Sequence, residues 1–137
     1  MSLLLLVLAC GSHQFPTANI MVGQTSMTVE LAADPEQRSL GLMHRDSIPQ
    51  NEGMLFLYTE ESKRSFWMKN TRIPLSIAFA NEDGKIMRIA DMTPLDQNAT
   101  KSLYPSKYAL EVNRGWFAEH GIETGMLITN IPDVKIK

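Results

Sequence analysis

The chain has 137 residues, 44% hydrophobic and 20% charged, with a net charge of −2. That fits one domain with a packed core and excludes a largely disordered chain. Charges of both signs are spread along the length, which removes the usual electrostatic basis for binding nucleic acid and leaves no basic patch for anionic lipid.

The run Leu3-Leu4-Leu5-Leu6-Val7-Leu8-Ala9 is far shorter than the ~20 residues a membrane-spanning helix needs. It has the length of a signal-peptide apolar region. Val7-Leu8-Ala9-Cys10-Gly11-Ser12 resembles a bacterial lipobox, in which the cysteine is lipidated and becomes the mature N-terminus. No Lys or Arg precedes the run, and Leu8 is uncommon two positions before such a cysteine. The expectation is a signal peptide over 1–9, a tether and approach segment over 10–24, and one globular domain over 25–137. The protein is then exported to the bacterial envelope or periplasm and meets membrane only through a lipid anchor at Cys10. A single cysteine excludes an intrachain disulfide.

Ser26 to Leu31 alternates polar and apolar, the period of a half-buried strand, with Met27, Val29 and Leu31 inward. Asp34-Pro35-Glu36-Gln37 reads as a helix start: Asp34 caps free N–H groups, Pro35 suits the first helical position, and Gln37 completes a capping box. The helix is expected to end near Met43 or Arg45. Gly41 inside it costs ~1 kcal/mol relative to Ala, which predicts a close approach to another element. Gly53 to Tyr58 is almost wholly apolar, as in a strand buried on both faces. Ser65 to Lys69 is expected as a strand with Trp67 and Lys69 on one side and Phe66 and Met68 on the other. Pro74 marks a break.

Leu75 to Phe79 resumes as strand, with Leu75, Ile77 and Phe79 inward. Asn81-Glu82-Asp83-Gly84 is a hairpin turn, and Lys85 to Asp91 returns antiparallel. Met92 to Lys107 is a long irregular segment. In the strand Tyr108 to Asn113, Tyr108, Leu110 and Val112 share one side and Ala109, Glu111 and Asn113 the other. A short helix over Gly115 to His120 closes at Gly121. Met126 to Thr129 is a last core strand, and Val134 to Ile136 a candidate edge. These elements predict a mainly β, α+β fold: a single compact domain with a mostly antiparallel sheet, curled or closed into a barrel, and one or two short helices.

The segments Arg38-Ser39-Leu40-Gly41-Leu42-Met43-His44-Arg45, Gly53-Met54-Leu55-Phe56 and Phe66-Trp67-Met68-Lys69-Asn70-Thr71-Arg72-Ile73-Pro74-Leu75 resemble the domain-of-unknown-function family 192, also catalogued as uncharacterised protein family 0127. Gly84, Leu110-Glu111-Val112-Asn113-Arg114-Gly115-Trp116 and Gly121-Ile122-Glu123-Thr124-Gly125 agree with it. The resemblance covers roughly Met27 to Ile131. It implies a small secreted or anchored domain, mainly β with a helix, and it implies no activity. Ser76 and Met126 stand where the family commonly has an acid, so any role resting on those acids is in doubt here.

The chemistry on offer is narrow. His13, His44 and His120 match no metal-ligand spacing, so neither metal nor other cofactor is expected. No nucleophile elbow, catalytic triad grouping or phosphate-cradling glycine loop is present. Glu111 lies mid-strand in an apolar setting, where its pKa would rise; the alternative is a structural ion pair with Arg38, Arg45 or Lys69. Trp67, Lys69, Asn70 and Thr71 combine a flat π surface, a cation, an amide and a hydroxyl. The alternative is that Asn70 and Thr71 only satisfy backbone groups at the break, with Trp67 in the core. Three functions follow. The first is a module binding a small ligand, glycan or peptide through Arg45, Trp67, Lys69, Asn70, Thr71 and Glu111. The second is a structural or partner-binding envelope lipoprotein that uses the Met92–Lys107 loop. The third is a hydrolase with Glu111 as acid or base.

Overall fold

The computed structural model describes residues 15–137. The signal peptide over 1–9 and the lipidation site at Cys10 lie outside the described residues. Strands β1 (Thr17–Val22) and β2 (Thr25–Ala32) form a hairpin. Thus residues 17–22, expected in an approach segment, are part of the sheet. Helix α1 (Pro35–Leu40) follows, then β3 (Glu52–Ser62), β4 (Ser65–Phe66), β5 (Leu75–Ala80), β6 (Ile86–Met92), β7 (Thr100–Lys101), β8 (Ser106–Asn113), helix α2 (Trp116–Glu119) and β9 (Ile128–Thr129).

Seven strands make one sheet in the order β6-β5-β8-β3-β2-β1-β9, and β4 pairs with β7 in a separate ribbon. Every neighbouring pair in the large sheet is antiparallel except β2 with β3, which run parallel. That pair needs a crossover, which α1 and the turn after it supply. The sheet curls into a half-barrel. At one end its extremes are stitched together: the Ile86 N–H donates to the Met126 carbonyl at 2.9 Å, and the Ile128 N–H to the Gly84 carbonyl at 2.8 Å. Gly84 has φ +79°, and a Cβ there would collide with the Ile128 carbonyl oxygen. The turn therefore needs glycine both for its conformation and for this approach.

The period-2 alternation sorts side chains into two cores. The inner one holds Val29, Leu31, Leu55, Leu57, Leu110 and Val112, among others, and α2 adds Trp116 and Phe117. The outer one holds Met54, Phe56, Leu75, Ile77, Phe79 and Ala109 from the opposite face of the same strands. Because one core packs on each face of β5, Ala78 and Ala80 in the inner and Leu75, Ile77 and Phe79 in the outer, all six of its residues are buried, not the alternate three that a half-buried strand would bury.

Three expected elements are shorter, the last strand among them, which keeps only Ile128–Thr129 of Met126–Thr129, and the candidate edge Val134–Ile136 is not a strand. α1 stops at Leu40, because Gly41 adopts φ +49° and a Cβ there would stand 3.3 Å from Phe56 Cζ. β4 stops at Phe66, although burial still alternates through Met68, which is buried, and Trp67 and Lys69, which are exposed.

Candidate functional site

A cavity of about 120 Å³ opens on the outer face of the sheet. Its floor is Phe56 and Tyr58 of β3 with Glu111 of β8. One wall is α1 and its exit, Arg38 to Met43; the other is Ser65, Phe66, Trp67 and Thr71. The walls are tied together where the His44 N–H donates to the Asn70 carbonyl at 2.9 Å. Phe66 meets Phe56 edge-on at 5.0 Å between ring centres, which holds the second wall against the sheet.

Glu111 is the unusual group. Its register partners are Met54 on β3 and Ile77 on β5, both apolar and fully buried. The residue is only 4% exposed. Among the described residues its carboxyl makes no ion pair and no hydrogen bond, so its contact with polar surroundings is the cavity itself. Burial pushes its pKa up from 4.5 to about 8, so at neutral pH the group is mostly a carboxylic acid, able to donate a proton in a hydrogen bond.

Tyr58 carries a guanidinium on its ring from each of two segments: Arg64 Cζ lies 3.7 Å from the ring centre and Arg38 Cζ 4.9 Å. Both arginines are anchored by main-chain oxygens. Arg38 donates to Leu57 at 3.0 Å and to Lys137 at 2.7 Å, and Arg64 Nε donates to Ser106 at 3.0 Å. Burial pushes the Tyr58 phenol up, opposed by Arg64 and Arg38. Burial also draws Arg64 down. On the rim, Trp67 is 49% exposed and the Lys69 ammonium lies 5.2 Å from its ring.

Of the residues singled out in the sequence, Trp67, Thr71 and Glu111 line this one cavity. Trp67 is therefore a rim residue and not core, and Lys69 reaches the site through it. Thr71 is buried and its hydroxyl donates to the Lys69 carbonyl at 3.1 Å, so it shapes the wall. Asn70 is exposed, with φ +54°, and turns the chain. Arg45 is elsewhere: it pairs with Glu30 through two bonds of 2.6 and 3.0 Å and packs over Phe15. The ion pair considered for Glu111, with Arg38, Arg45 or Lys69, does not form. Arg38, Tyr58 and Arg64 were missed as site residues. The only signal for them was an aromatic at the polar end of a buried strand, and the contact with Arg38 spans 20 residues of sequence.

Ser76 and Met126, the two departures from the family pattern, line no part of the cavity. The Ser76 hydroxyl donates to Asp91 at 2.7 Å and accepts from the Gly115 N–H at 3.1 Å, so a carboxylate stands one strand away from the position where the acid was expected. Met126 meets the Glu123 N–H through its sulfur at 3.4 Å. Among the described residues no cluster of His, Cys, Asp and Glu suits a metal ion.

The chain is similar to a crystal structure from Sinorhizobium meliloti described as a proposed transcription regulator, with 33% identity and a TM-score of 0.83 over 87% of this chain and 97% of that one. It is also similar to a protein of unknown function from Novosphingobium aromaticivorans, with 33% identity and a TM-score of 0.78 over 82% and 84% of the two chains. No curated protein matches at a significant level. The family model for DUF192, described as Uncharacterized ACR, matches residues 18–130 and so takes in the whole cavity. By that match the chain belongs to the DUF192 family.

Proposed function

We propose that the chain is a binding module that takes the polar end of a small ligand, sugar or peptide into the Glu111 cavity, with Trp67 as a platform for the rest. The observation that carries this is Glu111, buried and without a protein partner among the described residues, at the floor of a cavity rimmed by a half-exposed tryptophan. The Glu111 carboxyl faces the open cavity, where a polar group of a ligand can take the place of water as its partner. A cavity of about 120 Å³ is small beside the ~300 Å³ or more of common small-molecule sites, which suits one functional group of a larger ligand. Trp67→Ala should abolish binding of any ligand that shifts the amide signals of Thr71 and Glu111, while the fold is retained. A ligand that still binds Trp67→Ala with unchanged affinity contradicts the assignment.

A second reading rests on the burial of Glu111 at the cavity floor, which pushes its pKa up to about 8 and suits general acid chemistry at neutral pH. Hydrolysis of an envelope polymer that vanishes in Glu111→Gln would replace the binding reading. Unchanged activity in that variant would remove Glu111 from the reaction.

The proposal extends to export and lipid anchoring at Cys10, which the apolar run and the lipobox pattern support. Labelled fatty acid should enter the protein and be lost in Cys10→Ala; label that persists contradicts it.

A further inference from the structure

The cations around the cavity share a property that the binding reading does not use. Arg38 and Arg64 lie on the Tyr58 ring, and Lys69 lies over Trp67. Among the described residues none of the three is in an ion pair; the side-chain pairs found are Arg45 with Glu30 and Arg72 with Asp46. The one acidic residue in the cavity lining is Glu111. The cavity and its rim thus bring three cationic side chains, Arg38, Arg64 and Lys69, around a lining whose one acidic residue is Glu111.

We propose, building on the binding reading, that the site selects a carboxylate-bearing small ligand: the carboxylate enters the cavity against the Glu111 carboxyl and within the field of Arg38, while the adjoining ring or chain lies on Trp67 beside Lys69. The geometry supports this in three ways. The space fits a carboxylate and one or two carbons. A carboxylate can accept the proton of a neutral Glu111 in a short charge-assisted bond. The planar ring of Trp67 suits a sugar face or a peptide plane. A sugar acid and a free peptide C-terminus share this chemistry.

Binding then depends on pH. The ionisable groups facing Glu111 are Arg38 from α1 and Tyr58 from β3, both in the cavity lining, while its partners across the sheet, Met54 and Ile77, are apolar. With burial holding Glu111 near 8, its ionisation places a second negative charge against the ligand. Affinity for the acid should therefore fall as pH rises through that value.

The test is a nitrogen-15 chemical-shift titration of the protein with glucuronate, glucose, acetyl-dialanine and acetyl-dialanine amide, at about pH 6 and about pH 9.5. The expected result is that each acid shifts the Thr71 and Glu111 amides and binds about tenfold or more tightly than its neutral counterpart at the lower pH. The preference should shrink at the higher pH. Which acid binds more tightly assigns the source, sugar or peptide. Lys69→Ala should weaken the acids more than the neutral probes, and an equal loss for both would remove Lys69 from the recognition of the acid. Glu111→Gln should retain the preference for acids but lose its pH dependence. Neutral probes that bind as tightly as the acids overturn this inference and leave the binding reading standing. If no probe, acidic or neutral, moves the cavity signals, both fail.

Discussion

The guanidinium of Arg64 lies 3.7 Å from the centre of the Tyr58 ring, pressed onto the aromatic floor of the cavity that ends at Glu111. Arg64 is held there by the Ser106 carbonyl at 3.0 Å, and its own N–H donates to the Ser102 hydroxyl at 2.8 Å. The long segment after Met92 therefore supports the site by fixing Arg64. Arg64→Ala should loosen the Ser102–Ser106 stretch and lower stability by about 1 kcal/mol, as expected for a hydrogen-bonded cation on a ring. Because Ala keeps the main-chain bonds between positions 64 and 102, hydrogen exchange across the rest of the stretch to Lys107 would record the change, and unaltered protection there would show that the Arg64 side chain does not hold the loop.

Glu111 sets a pH dependence whose sign follows from its raised pKa. Below about pH 4.5 the group is protonated in both folded and unfolded chains; between about 4.5 and about 8 the folded chain keeps the proton that the unfolded chain loses. Stability should fall with rising pH across that window, by about 1.4 kcal/mol per pH unit at most, and level off above it. Denaturant unfolding of the parent and of Glu111→Gln checks this. The difference between the two should carry the slope, and parallel curves would contradict it.

Asn70 has φ +54° and its carbonyl accepts the His44 N–H that ties the two cavity walls together. A left-handed conformation disfavours Ala by about 1 kcal/mol and suits Gly. Asn70→Ala should lose about that much stability, whereas Asn70→Gly should lose little and keep ligand binding. If both variants are fully stable and neither binds, the Asn70 amide is a ligand contact and the backbone explanation is wrong.

Arg45 and Glu30 form a two-bond ion pair that is partly exposed. Removing it with Arg45→Ala should cost about 1 kcal/mol or less and leave affinity at the cavity unchanged. A loss of affinity in a folded Arg45→Ala protein would return Arg45 to the site.

At Gly84, Ala would face both the positive φ and the Ile128 carbonyl. Gly84→Ala should lower the melting temperature by several degrees, since more than about 1 kcal/mol is lost. Gly121→Ala is the control, because φ is also positive there but nothing lies within 4 Å of the added Cβ. Equal losses at both positions would mean that the stitch between the two ends of the sheet carries no stability.

The sequence exposed some of this and hid the rest for physical reasons. Glu111 could be found because alternation placed it opposite Leu110 and Val112, on the face it occupies. The Asp34 cap could be read as well: its carboxylate accepts the Gln37 N–H at 2.8 Å. Strand β1 escaped although it alternates, with Ala18, Ile20 and Val22 inward and Thr17 and Asn19 exposed, because that period lasts only six residues and the apolar Met21 blurs it. The parallel pairing of β2 with β3 has no local signature. Arg38 and Tyr58 escaped for a similar reason: their meeting depends on α1 crossing the sheet, which no short window encodes. Arg45 looked like a site residue because a cation near a motif does not reveal its partner, and Glu30 lies 15 residues earlier, on β2.

The most direct test of the central claim is a carbon-13 titration of the Glu111 carboxyl, assigned by the signal lost in Glu111→Gln. The buried, unpartnered acid described here should titrate near pH 8 and shift when a carboxylate ligand is added. Titration at an ordinary carboxylate value, about 4.3, would mean that water or an ion pair already satisfies Glu111, and would contradict the site.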